Sequence, residues 1–500
     1  MMRGSHQAMR ATRLTPTMRR GRSSAAGVIS DPNQRAVAAL AAAGVVAAAI
    51  AGAASVTYGP KMILGLAMAA AFAVASFRRI EVMYVGLYAA AFVGPAYLGN
   101  SIWPPVVTLV VLYIAARELL RGRDPVLSGF LFAYCAVYVL ALLHGTWNPA
   151  SVSAIRGIVT PALLAMATAS VARDERTRRH LVLLLIPFVA LQVPTALLQS
   201  LQGIRSYGAS SFEQFGDSVT GTLGSSASGT LTLVTVALAT VLFAAALERV
   251  WKPRILAVGA VVLAGVGVLS VARAVFIFVP VAAASTLLAS AFLRKRSIGM
   301  RRIATVATLI VVATPATVFA MSALYPGVTR DINSIQKIRD YLFLPQSGVN
   351  PERAGQLEAA VNSVDKGFET AALGEGLGST DLNSDPHVVS TGDLPVAIKR
   401  EQFTNSVWTP RILVEAGALG VLAFLALLAY ALSLAVQGAR RSAPRSWDSA
   451  IALALPGIAA LTLIGSFYQT VLDLPPYATI FWVMLGLGMA IRRAPARERG

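Results

Sequence analysis

Cysteine is nearly missing from this chain. Cys135 is the one cysteine in 500 residues and falls inside an apolar run, which excludes a disulfide framework and a cysteine-built metal site. Charge is also scarce, at 13% of residues, and acidic charge most of all: Asp and Glu number 24 against 43 Lys and Arg. The resulting net charge of +19 does not point to nucleic acid, because the basic residues sit in short connectors between apolar runs, as they do in cytoplasmic membrane loops. The middles of those runs hold almost no ionisable group. A proton- or ion-coupled carrier needs such groups at mid-membrane depth, so that class is disfavoured.

What fills the chain instead is hydrocarbon: 56% hydrophobic residues and a mean hydropathy of +0.64. This is too apolar for a soluble domain and predicts an all-α, polytopic integral membrane protein. At about 20 residues per span, the apolar runs give roughly 14 transmembrane helices. Residues 1–35 read as a basic cytoplasmic tail, because the run after them is longer than a signal-peptide core. Residues 36–324 carry eleven expected spans, 325–408 form one large polar segment, 409–491 carry three more spans, and 492–500 form a short basic tail.

Arginine pairs and clusters, such as Arg78-Arg79, Arg173/Arg176/Arg178/Arg179 and Arg440-Arg441, fall on alternate turns. By the positive-inside rule these turns and both termini face the cytoplasm. The Tyr325–Trp408 segment, Gly203–Ser228 and the Gly145–Ser151 turn then face outward. The outward segment also collects acidic residues, among them Glu352, Glu358, Asp365, Glu369 and Glu375. Within it, Asn350-Pro351-Glu352 reads as a helix start, after which Leu357, Val361, Val364 and Phe368 recur at amphipathic-helix spacing. Gly374, Gly376 and Gly378 are expected to end that helix.

Three arginines are placed at the outer face. Arg273 is the single charge between Ile255 and Leu293 and must lie where that run turns back. Arg156 lies about one turn inside the span after Gly145–Ser151, and Arg411 closes the large outer segment with Glu415 four residues on, the spacing of an in-helix ion pair. Three guanidinium groups facing one outer cavity would suit a lipid diphosphate. Each can form forked, charge-assisted bonds worth roughly 1.5–3 kcal/mol apiece. The alternative for each is an arginine that snorkels to the headgroups.

Four segments resemble the O-antigen ligase and O-antigen polymerase family of bacterial envelope glycosyltransferases. They are Thr220-Gly221-Thr222-Leu223-Gly224-Ser225-Ser226-Ala227, Leu269-Ser270-Val271-Ala272-Arg273-Ala274, Arg353 running on to Gly374-Glu375-Gly376-Leu377-Gly378, and Asn405-Ser406 leading into Leu413-Val414-Glu415-Ala416-Gly417-Ala418-Leu419-Gly420. They occur in the family's order and cover about Thr220 to Val436.

The resemblance implies transfer of a glycan from a polyprenyl-diphosphate lipid to an acceptor hydroxyl, at the outer face of the cytoplasmic membrane, with no cofactor, metal or nucleic acid. It assigns Arg273 and Arg353 to the diphosphate leaving group. Arg156, Arg411, Glu375 and Asn405 become substrate-binding candidates. The family's ligases carry a histidine just before the Leu-x-Glu-x-Gly stretch, and here that neighbourhood reads Phe403-Thr404-Asn405-Ser406-Val407-Trp408. The proton-accepting role then passes to His387, or to an outer carboxylate such as Glu375 or Glu415, or to a polymerase-like variant with a different base. Two other readings are a glycan exporter without chemistry and a family member that binds lipid-linked sugar without transferring it.

Overall fold

The computed structural model describes residues 79–95, 103–145, 147, 149–207, 219–223, 228–269, 274–294, 353–365, 367–380 and 407–494. All regular structure among the described residues is helical: α1 Glu81–Phe92, α2 Trp103–Leu120, α3 Gly129–His144, α4 Pro149–Val171, α5 Glu175–Ala190, α6 Gln192–Tyr207 and α7 Ser228–Leu247, then α8 Pro253–Leu269, α9 Val275–Arg294, α10 Arg353–Val364, α11 Phe368–Leu373, α12 Trp408–Arg441, α13 Trp447–Gly465 and α14 Pro475–Arg493.

Six helices among the described residues are long and apolar enough to cross a membrane: Trp103–Leu120, Ala150–Val171, Glu175–Leu201, Ser228–Leu247, Trp408–Arg441 and Trp447–Gly465. Helices α1, α3, α8 and α9 are apolar but shorter or interrupted. At 1.5 Å per residue, the 12 residues of α1 reach only about 18 Å, well under a hydrocarbon core. The expected spans Ala36–Thr57, Met62–Phe77 and Ile303–Leu324 lie outside the described residues.

Helix α7 runs through the middle, buried along most of its length, with α8, α9 and α13 against it. Its threonines fit that apolar setting because their hydroxyls donate to carbonyls one turn back: Thr235 Oγ1 to Leu231 O at 2.8 Å and Thr240 Oγ1 to Val236 O at 2.7 Å. Thr286 and Thr462 do the same in α9 and α13. Small residues let helix backbones meet: Gly457 of α13 faces Thr240 and the Ala282 carbonyl, and Gly486 of α14 faces the Ala165 carbonyl of α4. Large apolar side chains such as Leu112, Phe132, Val258, Phe292 and Leu422 stay exposed around this core, as a lipid-facing surface requires.

The connectors sort into two ends. At the basic end, Asp174, Ser128 and Ser446 cap the helices that start there, each accepting from the backbone N–H three residues on. Arg178 reaches Asp448 through a forked pair at 2.7 and 2.6 Å, and the Arg445 N–H donates to Glu248. Arg173 donates to the Asp124 carbonyl and Arg493 to the Leu127 carbonyl. The connectors that the arginine pattern places on one side are therefore neighbours in space. The opposite end gathers the α3–α4 turn, the segment from α10 to Thr380, the start of α12 and the α13–α14 connector.

The outer amphipathic pattern needs one correction. Val364 closes α10, and Gly367, at φ +156°, separates it from α11, so Phe368 opens a new helix rather than extending the first. Ala360 and Val364 are the buried positions of α10, while Leu357 and Val361 are exposed and Phe368 is 88% exposed. The packed face is the one with small residues, which lets α10 lie close on α12.

Candidate functional site

The site is built where two glycine-bearing segments meet. In α12 the dihedrals of Gly417, φ +62° and ψ −161°, leave the helical region and kink the helix one turn after Val414. At that kink the Val414 carbonyl accepts from the Glu375 N–H at 2.7 Å. The loop Gly374-Glu375-Gly376-Leu377-Gly378 thus pairs with the broken turn, as a strand would with an open edge. A Cβ on Gly374 would strike the backbone of Val414–Ala416, one on Gly417 would strike Ala372, and one on Gly378 would strike the backbone of Ala150 and Ser151. Gly376 sits directly on Gly145, so no Cβ fits at either residue. Gly374 caps α11, as expected from sequence, and the three glycines also lock the loop between α12 and the α3–α4 turn.

Inside this lock lies an ionic cluster. Glu415, only 1% exposed, accepts through Oε1 from Arg411 Nε at 3.0 Å and from the Thr380 hydroxyl. The i, i+4 ion pair expected from sequence is present, but Arg411 has a second acid: its Nη1 donates to Asp473 Oδ2 at 2.5 Å. Asp473 belongs to the α13–α14 connector and is the sole charged residue between Asp448 and Arg492. A lone carboxylate in so long an apolar stretch is a signal that sequence reasoning passed over.

Burial pushes the Asp473 carboxyl above its ordinary range; Arg411 pulls it back and Glu415 pushes it up again. Its side chain keeps 30% of its surface accessible, whereas that of Glu415 keeps 1%. Across from it, the Cβ position of Gly157 in α4 lies 4.0 Å from Asp473 Oδ1. That places the helix turn of Arg156, itself exposed, beside the cluster.

The Thr220–Leu223 turn belongs to the same end. Gln199 Oε1 accepts from the Thr220 and Gly221 N–H groups at 2.9 and 2.7 Å, and its Nε2 donates to the Gly221 carbonyl at 2.8 Å. Gln192 accepts from the Thr222 N–H at 2.8 Å and donates to Thr222 Oγ1 at 2.7 Å. Two glutamines on one face of α6 thereby hold five polar groups, four of them backbone, of a turn that has no ladder of its own. The turn leads into α7, whose Gly229 faces Gln469, and the Gln469 carbonyl accepts from the Trp408 N–H at the head of α12.

Of the residues singled out from sequence, Arg411 and Glu415 are in direct contact, and Glu375 binds α12 through its backbone at the next turn. Arg156 lies on the adjacent helix. Arg353 opens α10, which packs on α12, but its side chain is outside the description, as are Arg273, His387 and Asn405 entirely. Thr380, Asp473, Gln192 and Gln199 were missed. Comparison of the chain with protein-family models and with curated protein sequences returns no match.

Proposed function

We propose that this protein is a membrane glycosyltransferase that polymerises or ligates polyprenyl-diphosphate-linked glycans at the outer face of a bacterial cytoplasmic membrane. The observation that carries the reading is the interlock at Gly374–Gly378 and Val414–Gly417. Two segments that resemble the O-antigen ligase family, far apart in sequence, meet backbone to backbone around a cluster of acids and an arginine. A third, the Thr220–Leu223 turn, lies at the same end. Arginine-rich connectors occupy the opposite end, which the positive-inside rule assigns to the cytoplasm.

In this reaction the acceptor oxygen bonds to the anomeric carbon while the bond from that carbon to the diphosphate breaks. The leaving group gains charge as it departs, and fixed guanidinium groups stabilise that charge more in the transition state than in the ground state. Arg273 and Arg353 fill this role in our reading, and Glu375 and Asn405 bind the glycan.

The test is transfer by purified protein in lipid vesicles, supplied with a polyprenyl-diphosphate-linked oligosaccharide and a hydroxyl acceptor. Arg273→Ala and Arg353→Ala are each expected to lose transfer while still inserting in the membrane. Full transfer by both variants would remove the basis of the proposal. Cells lacking the protein separate the two outcomes of the chemistry: loss of long glycan chains marks a polymerase, and lipid-linked chains that accumulate unattached mark a ligase.

A further inference from the structure

We propose that Asp473 is the group that takes the proton from the acceptor hydroxyl, and that Glu415 positions it through Arg411 without touching substrate. The inference rests on the glycosyltransferase reading above and supplies the base which the missing family histidine leaves open.

The two carboxylates differ in what they can reach. Glu415 is closed off, with both Arg411 Nε and the Thr380 hydroxyl on one oxygen and almost none of its surface accessible. Asp473 uses Oδ2 for Arg411 and has no hydrogen-bond partner on Oδ1 among the described residues. That oxygen faces Gly157, where the absence of a side chain leaves room against α4. The backbone around it is fixed: the Asp473 N–H donates to the Thr470 carbonyl at 2.9 Å, buried Val471 and Leu472 anchor the connector, and Pro475 starts α14 two residues on. Asp473 is therefore a held carboxylate with one committed and one open oxygen, partly accessible, and tied through Arg411 to the glycine lock.

The step balances without any further reactant. The acceptor oxygen forms its bond to the anomeric carbon, and the bonding pair of the departing carbon–oxygen bond stays on the diphosphate. The hydroxyl proton moves to Asp473 Oδ1. A base is most useful when its affinity for the proton lies near the working pH, and burial of Asp473 moves it in that direction. Among the described residues, the charged and titratable groups that face it are Arg411 and Glu415 of α12, Tyr134 and Tyr138 of α3, and Arg156, which lies on the α4 turn opposite.

The experiment uses the full chain in lipid vesicles with a polyprenyl-diphosphate-linked oligosaccharide as donor, and compares wild type, D473N and E415Q across pH. D473N is expected to lose about a hundred- to ten-thousand-fold in kcat with little change in donor KM. Wild-type kcat is expected to fall on the acid side as the Asp473 carboxylate takes up a proton. Glu415 raises the proton affinity of Asp473, so E415Q is expected to move that acid limb to lower pH. D473N with wild-type kcat, or with the acid limb intact, overturns the inference and leaves the glycosyltransferase reading standing. A wild type that consumes no donor overturns both. If D473N does not insert, the E415Q profile decides: an acid limb at the wild-type pH overturns the inference.

Discussion

A single methyl group at Gly376 tests the interlock on which the site depends. At φ +101° an L side chain is disfavoured, by about 1–2 kcal/mol where the left-handed region has been quantified. The methyl would also land on Gly145 Cα, so the loop or the α3–α4 turn must move, and overpacking of this kind costs about 1–3 kcal/mol. G376A is therefore expected to lose roughly 2–5 kcal/mol of local stability. Gly145 meets the same overlap but has an ordinary φ of −84°, so G145A should carry the overlap alone, about 1–3 kcal/mol. Either methyl forces the same separation of the two backbones, so the second meets less overlap and the double variant should cost less than the sum, by a coupling of about 0.5–3 kcal/mol. Chemical unfolding of the detergent-solubilised protein gives the energies, and hydrogen exchange at Glu375, whose N–H is held by Val414, reports whether the loop has lifted. Wild-type stability in G376A, or strict additivity with G145A, would show that the two glycines do not bear on one another and that the loop is not locked.

Other expectations follow from the basic end. Arg178→Met leaves Asp448 buried with its forked partner gone and should cost about 3–5 kcal/mol, whereas R178M combined with D448L should recover much of that loss in the same unfolding measurement. Asp174→Ala removes the cap of α5 and should cost about 1 kcal/mol at neutral pH. Although partial burial acts to raise its proton affinity, the Thr177 N–H and hydroxyl outweigh this and hold the Asp174 carboxyl below its ordinary range. Its contribution is thus present above the unfolded carboxylate range near pH 4 and lost as pH falls through the lower folded value. Wild type and D174A should converge in stability on acidification, and a constant gap down to pH 2 would contradict the assignment of the cap.

The parts of this structure that were legible in sequence are those carried by local pattern or by charge. Membrane-length apolar runs gave α2, α4 and α7 within about four residues at each end and α12 and α13 within about six, and alternate arginine clusters correctly grouped Arg178, Arg445 and Arg493 at one end. The spacing of Arg411 and Glu415 gave their ion pair. What failed was local as well: the helical period continues from Val364 to Phe368, and only the backbone of Gly367 breaks it. Partners brought from elsewhere could not be seen by spacing. Thr380 reaches Glu415 across 35 positions, and Asp473 reaches Arg411 across 62. The glycine triplet was legible as a helix stop, which Gly374 supplies, but not as a close-approach surface, because the two roles require the same residue for different reasons.

The position of Asp473 also changes what the arginines can be asked to do. Arg411 is engaged by two carboxylates, so the Arg411–Glu415–Asp473 cluster sums to one negative charge when both acids are ionised. A cluster of that sign repels a diphosphate and accepts a hydroxyl, so it sits more naturally at the acceptor than at the donor. On the glycosyltransferase reading we propose, Arg411 organises the two acids, and the anion-binding duty falls to Arg273 and Arg353, which the family resemblance assigns to it, with Arg156 exposed on the helix turn next to Asp473. In the proposed reaction the duties would then divide: arginines hold the leaving group and the Arg411–Glu415–Asp473 cluster takes the proton from the hydroxyl that attacks the sugar carbon. Opposite charge in the two roles is what the chemistry needs, since negative charge builds on the departing phosphate while positive charge is shed from the attacking hydroxyl.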